Sequence, residues 1–222
     1  MTSVRFKDAV GFSKLDVFRE CPKKFKYQFI DKIKETRQSE ALVRGSRIHD
    51  ECESYVRGWI KELPTELEKW QDAMDMLREA KAIPESAWGF DKDWSLLPDW
   101  FHPDTWLRAK SDCHYLSIPT KLVIIDFKTG KYRVPSTEQI ELYAICGHAV
   151  YPQVEEVIAE FWFLDTDQTY TKTYTAEHLM LLRKKYEGYF APIFAEEQWN
   201  AVPSRDCKWC SYSKSKGGAC EY

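Results

Sequence analysis

Residues 106–128 constrain the fold of this chain more than any other stretch. Trp106-Leu-Arg-Ala-Lys-Ser-Asp-Cys-His-Tyr-Leu116 and Lys121-Leu-Val-Ile-Ile-Asp-Phe-Lys128 both read as strands, and Ser117-Ile-Pro-Thr120 between them reads as a turn. A turn centred on Pro119 pairs residues whose numbers add to 238, which sets Asp112 opposite Asp126. Side chains alternate along a strand, so Asp126 and Lys128 share one face while Ile125 and Phe127 share the other. Two opposed carboxylates repel, and a sheet keeps such a pair when a cation lies between them. A hard divalent ion such as Mg²⁺ or Mn²⁺, which takes oxygen ligands and retains waters, meets that need. Lys128 would then neutralise a phosphate oxygen or orient an attacking water. Asp-x-Lys alone is a common tripeptide, and ordinary solvent-facing strand residues would produce it too.

Away from the hairpin the periodicity is mostly helical. Leu15, Phe18, Phe25 and Phe29 follow Ser13 at helical spacing, Ser13-x-x-Asp16 has the form of a capping box, and Pro22 opens a second helical piece. Ala41, Gly45, Ile48, Cys52, Tyr55 and Trp59 make 40–61 an amphipathic helix, with His49 beside the apolar stripe. Residues 65–82 repeat the pattern through Leu67, Trp70, Met74 and Leu77 until Pro84 stops it. Trp88, Trp94, Trp100 and Trp106 then crowd a proline-punctuated span that reads as core or lid packing, with stacking of exposed rings on bases as the alternative. Residues 137–150 are helical, 154–165 and 169–174 are strands, and 176–197 is a long amphipathic helix. The sum is an α/β fold, a mixed sheet flanked by helices. Its 222 residues suit a single domain: a mainly helical part over 13–105, the sheet and its helices over 106–200, and a cysteine-bearing tail over 203–222.

The formal net charge is −3, but the first 49 residues carry +6 and the remainder −9. Attraction to phosphate must therefore be local, through a block such as Lys23, Lys24, Lys26, Lys32 and Lys34, an arrangement that a solvated helix face shares. No apolar run approaches the roughly 20 residues of a membrane span, and no apolar h-region follows the N-terminal charges, so the expectation is a cytoplasmic protein without a membrane segment. The seven cysteines are an odd count for a disulfide framework. Cys207-Lys-Trp-Cys210 and Cys220 form a C-terminal triplet in a segment poor in apolar residues. Three thiolates are one short of a closed site, and the missing ligand must come from elsewhere in the chain.

The order of these motifs resembles the RecB-like branch of the PD-(D/E)xK nucleases. In that branch a motif Asp on one strand, here Asp112, precedes an Asp-x-Lys closing a hydrophobic strand, here Asp126-Phe127-Lys128. Gln139-Ile-Glu-Leu-Tyr143 matches the following Gln-x-x-x-Tyr helix, and Gly45-Ser-Arg-Ile-His49 matches an early Gly-x-x-x-His. Ala109 stands where the family often has Gly, and Glu85 is a candidate for the acidic residue some relatives place earlier. The resemblance implies a restriction-endonuclease-like sheet in which His49, Asp112, Asp126 and the Phe127 carbonyl hold Mg²⁺ or Mn²⁺. Lys128 would assist the attacking water, and Gln139 and Tyr143 would position the DNA backbone.

Iron–sulfur members of the branch, including AddB and the CRISPR-associated exonucleases, pair one N-terminal cysteine with three C-terminal ones. Ser13-Lys-Leu15 followed by Cys21-Pro22-Lys-Lys-Phe25 matches their N-terminal context. The resemblance therefore implies a 4Fe–4S cluster on Cys21, Cys207, Cys210 and Cys220, tying a helical subdomain, with Zn²⁺ on the same thiolates as the rival. Cys52, Cys113 and Cys146 remain as buried or strand thiols. The implied function is a metal-dependent DNA exonuclease acting on DNA ends or single strands in recombination, repair or phage DNA processing. The phosphate-binding Gly-x-x-x-x-Gly-Lys-Ser/Thr motif is absent, so unwinding would fall to a helicase or recombination partner. A structure-specific endonuclease and a non-catalytic DNA-binding adaptor are the alternatives.

Overall fold

Five strands, Ile83–Phe90 (β1), Leu107–Ile118 (β2), Lys121–Lys128 (β3), Glu156–Phe163 (β4) and Gln168–Thr175 (β5), pair in chain order in a computed structural model that describes residues 4–34, 40–132 and 136–222. β3 and β4 run parallel, and the other neighbours are antiparallel. Only the β3-to-β4 step needs a crossover, and helix α5 (Glu138–Val150) supplies it. The hairpin register is the expected one: Cys113, His114, Tyr115 and Leu116 oppose Ile125, Ile124, Val123 and Leu122, with a shift at the turn that sets Ile118 against Lys121.

The middle of β3, residues 122–125, is apolar because both its faces are covered. On one side, Val123, Ile125 and Phe127 share a core with Ile48, Cys52 and Tyr55 of α3 (Glu40–Val56) and with Met74 and Leu77 of α4 (Gln71–Glu79). On the other, α5 approaches so closely at Gly147 that a Cβ there would collide with the Leu122 and Ile124 side chains. Cys113 belongs to the first core, and Cys52, Cys113 and Cys146 are all fully buried.

The chain divides into two compact units, Glu40–Lys185, which holds the sheet, and a second built from both ends, Met1–Ser39 with Tyr186–Tyr222. The terminal unit contains α1 (Phe12–Glu20), the short α2 (Pro22–Phe25) and the second half of α6 (Ala176–Ala195). Its centre is Phe25, fully buried, stacked on Trp199 at 5.5 Å with edge contacts to Phe6 at 5.0 Å and Phe18 at 5.7 Å. The Trp199 indole N–H donates to the Val4 carbonyl at 2.7 Å, and the Tyr212 hydroxyl donates to the Ile33 carbonyl at 3.0 Å. Beyond Trp199 the regular structure is limited to two 3₁₀ turns, Arg205–Trp209 and Lys214–Lys216.

Four expectations are corrected. Helix α1 begins at Phe12 after Gly11, so Ser13 lies inside the first turn and no side chain caps the helix. The helix expected over 40–61 ends at Val56, ahead of Gly58 with its φ of 75°. Residues 65–82 divide into a 3₁₀ turn, Thr65–Trp70, and α4. The Trp-rich span supplies an edge strand, β1, where Pro84 costs no ladder hydrogen bond on the open side, and Trp88 and Trp94 are buried. Among the described residues no helix is long and apolar enough to cross a membrane.

Candidate active site

The sheet unit gathers its polar side chains where β1, β2 and β3 meet α3. The register runs to Cys113↔Ile125, one step from Asp112 and Asp126. Asp112 is locked in place by the Phe127 backbone N–H, which donates to its Oδ2 at 2.7 Å, and the same oxygen lies 3.4 Å from Nδ1 of His49. His49 reaches it because α3 passes close to the end of β3: a Cβ on Gly45 would stand only 3.1 Å from Thr129 Oγ1. Glycine one helical turn before the histidine thus sets the helix-to-strand distance. The turn beyond β3 is held by Asp165, which accepts from the Gly130 N–H at 2.5 Å and pairs with Arg44 at 2.7 Å.

His49, Glu85 and Asp112 offer ligand atoms that all lie within 4.8 Å of one another. Glu85 sits between the pairs Pro84↔Cys113 and Ser86↔Ser111, which sets it opposite Asp112, and it has a φ of 54°, rare for a non-glycine residue in a strand. Burial pulls the His49 imidazole down, but the hydrogen bond and charge of Asp112 outweigh it and hold the group above its usual range.

Asp126 stands outside this trio. It is buried, and its Oδ2 meets the Lys128 ammonium at 2.5 Å. Burial, then the charge of Asp112, push its carboxyl well above the usual carboxylate range, with Lys128 opposing the shift. A buried carboxylate beside Asp112, with an imidazole and a third carboxylate alongside, is a donor set that fits a divalent cation such as Mg²⁺ or Mn²⁺.

Gln139 and Tyr143 face inward. Lys128 donates to Gln139 Oε1 at 2.7 Å, and the Gln139 amide donates to Asp126 Oδ1 at 3.1 Å and reaches the Tyr143 hydroxyl at 3.1 Å. They hold Asp126 and Lys128, and the residues that line the open cleft of about 870 Å³ are others: His49, Glu85, Lys110, Asp112, Phe127 and Lys128 among them. Lys110, ion-paired to Glu85, was not singled out from sequence. Its place two residues before Asp112 on the same strand face was the signal available.

The other predicted constellation lies wholly within the terminal unit. Cys21, Cys207, Cys210 and Cys220, all free and half-buried, line one cavity of about 450 Å³. Backbone N–H groups point at two of the sulfurs, Val202 at Cys21 (3.5 Å) and Ser204 at Cys207 (3.3 Å). Among the described residues no three of these sulfurs come within 4.8 Å of one another.

Three of the five N-terminal lysines expected to meet phosphate are matched by a carboxylate: Lys23 by Glu221 at 2.8 Å, Lys24 by Glu20 at 2.6 Å and Lys26 by Asp31 at 2.6 Å. Their charge is locally balanced.

A comparison with curated protein sequences finds no significant match. Solved structures with the same fold include the crystal structure of SSO0001, 14% identical with a TM-score of 0.54 over 99% of this chain and 89% of the other. A Eubacterium rectale protein described as a candidate exonuclease is 12% identical, with a TM-score of 0.55 over 92% of this chain and 87% of its own. The profile of the PD-(D/E)XK nuclease superfamily matches residues 9–215, which include every element of the cleft and all but one of the four cavity cysteines. With that match spanning nearly the whole chain, and a mixed sheet presenting Asp112 and Asp126-x-Lys128 beside a candidate acidic metal site, the protein belongs to the PD-(D/E)XK nuclease superfamily.

Proposed function

We propose that the protein is a Mg²⁺- or Mn²⁺-dependent DNA exonuclease that carries a 4Fe–4S cluster in its terminal unit. The observation that carries the nuclease reading is the convergence of His49, Glu85 and Asp112 within 4.8 Å beside a lysine-lined cleft. His49, Glu85 and Asp112, with Asp126 behind them, would hold the ion, which supplies an acidified water and a clamp on developing phosphate charge. The Phe127 N–H fixes the Asp112 carboxylate against rotation. Lys128, held by Gln139 and Asp126, presents its ammonium at the cleft to a phosphate oxygen or to the attacking water. Tyr143, whose phenol is driven far up by burial and then by the charge of Asp126, stays protonated and steadies the Gln139 amide. Support for the cluster is the donor set: four free thiols around one cavity, two of them receiving backbone N–H groups.

End-labelled linear DNA and circular single-stranded DNA, each incubated with Mg²⁺ or Mn²⁺, test the activity. The expected result is degradation of linear DNA with the circle left intact; a nicked or linearised circle would identify an endonuclease, and no cleavage with either metal would favour a non-catalytic adaptor. Brown colour and iron in the purified protein test the cluster, against a colourless protein with one zinc per chain.

A further inference from the structure

The terminal unit contains an exposed aromatic ring set among cations that have no carboxylate to balance them. Trp209, between Cys207 and Cys210, is 71% exposed. The Lys208 ammonium lies over its ring at 5.3 Å, and the Lys216 ammonium donates to its carbonyl at 2.8 Å. Arg205 and Lys214 belong to the same two 3₁₀ turns. All four cations are exposed, and among the described residues none of them forms an ion pair, in contrast to Lys23, Lys24 and Lys26. The only acidic residue interleaved with them is Asp206. Trp59, also exposed, offers no equivalent, because its neighbour Arg57 is engaged by Glu53 at 2.7 Å and by the Pro84 carbonyl at 2.9 Å.

We propose that Trp209 with Lys208 and Lys216, flanked by Arg205 and Lys214, is a docking platform for a single strand of DNA, the ring stacking on a base while the ammonium groups meet the adjoining phosphates. The proposal deepens the DNA-nuclease reading and rests on it for the identity of the strand. A flat aromatic face accepts any base, and unpaired lysines exchange counterions for phosphate, so the platform binds without sequence preference.

The test is the affinity of the full-length protein for a fluorescent oligothymidylate, titrated with Ca²⁺ in place of Mg²⁺ at several salt concentrations. Trp209→Ala should weaken binding roughly five- to a hundred-fold with the salt slope unchanged. Trp209→Phe, which keeps a ring, should recover most of that loss and separates stacking from any disturbance of the neighbouring cysteines. Lys208→Ala with Lys216→Ala should lower the log–log salt slope by about 0.7 for each phosphate left without its lysine. Trp209→Ala binding within about twofold of the parent would overturn the proposal, as would Trp209→Phe binding no better than Trp209→Ala. Co-sedimentation with phosphatidylserine vesicles that depends on Trp209, with DNA affinity unchanged, would overturn it in favour of a membrane surface. Asp112→Asn cleaving DNA at the parental rate would instead defeat the nuclease reading of the cleft and leave the Trp209 result standing.

Discussion

The β2–β3 hairpin and the segment after Trp199 each carry a candidate metal site, yet they are held in place in opposite ways. In the hairpin, the ladder and the covered faces of β3 set the register up to Cys113↔Ile125, which brings Asp112 and Asp126 near each other even though their charges repel. After Trp199 there is no ladder: the chain is pinned by the aromatic stack on Phe25 and a few bonds such as Tyr212 to Ile33. The hairpin site is imposed by the fold, whereas the proposed cluster would help to make the terminal unit. Metal removal should therefore spare the sheet and loosen the ends.

The largest effect expected from breaking this contrast is catalytic. Lys128→Ala should cut DNA cleavage by about a hundred- to ten-thousand-fold while leaving Mn²⁺ affinity, measured calorimetrically, nearly unchanged, because the lysine acts on phosphate or water. In the terminal unit, Cys207→Ser should lose iron and lower the unfolding midpoint, whereas Cys146→Ser, at a fully buried position that does not line the cavity, should leave the iron content unchanged. Iron analysis of the two variants decides it. Phe25→Ala removes the ring at the centre of the aromatic stack and should cost about 3–5 kcal/mol in urea unfolding of the terminal unit. If it costs much less than Cys207→Ser, the cluster and not the aromatic stack dominates that unit.

The smallest effect is pH-dependent and confined to the sheet unit, since all the histidines lie outside the terminal segments. Burial lowers His114 to about 4, below the free imidazole, so its neutral form is the one that the fold accepts. Its stabilising contribution is complete above about pH 6.5 and is lost as pH falls toward 4, by up to roughly 3 kcal/mol. His114→Phe should flatten that slope in urea unfolding at pH 7 and pH 5, and an unchanged slope would place the acid sensitivity elsewhere.

What was legible in the sequence follows the same division. Strand alternation and a proline turn were enough to align Cys113 with Ile125, and helical spacing put His49 on α3. β1 was not legible as a strand, because Pro84 and clustered tryptophans mask any alternation, and with it went the weight due to Glu85. Lys110 was passed over because its partner lies on that unrecognised strand. Of the lysines near Cys21, Lys23 finds its partner Glu221 at the far end of the chain, which spacing could not reveal, whereas Glu20 for Lys24 and Asp31 for Lys26 lie within five residues and were there to be read. Residue type and spacing reveal what a local element presents, and distant pairing decides whether its charge is spent.

The most direct test of the account is Asp112→Asn. Asparagine keeps the volume and can still accept the Phe127 N–H, but it removes the negative charge beside His49 and Glu85. With end-labelled linear DNA and Mn²⁺, the account predicts cleavage reduced about a thousand-fold or more, with weakened Mn²⁺ binding and an unfolding midpoint at or above the parent's, because a repulsive charge is gone. Cleavage at close to the parental rate would contradict it and place the active site away from this hairpin.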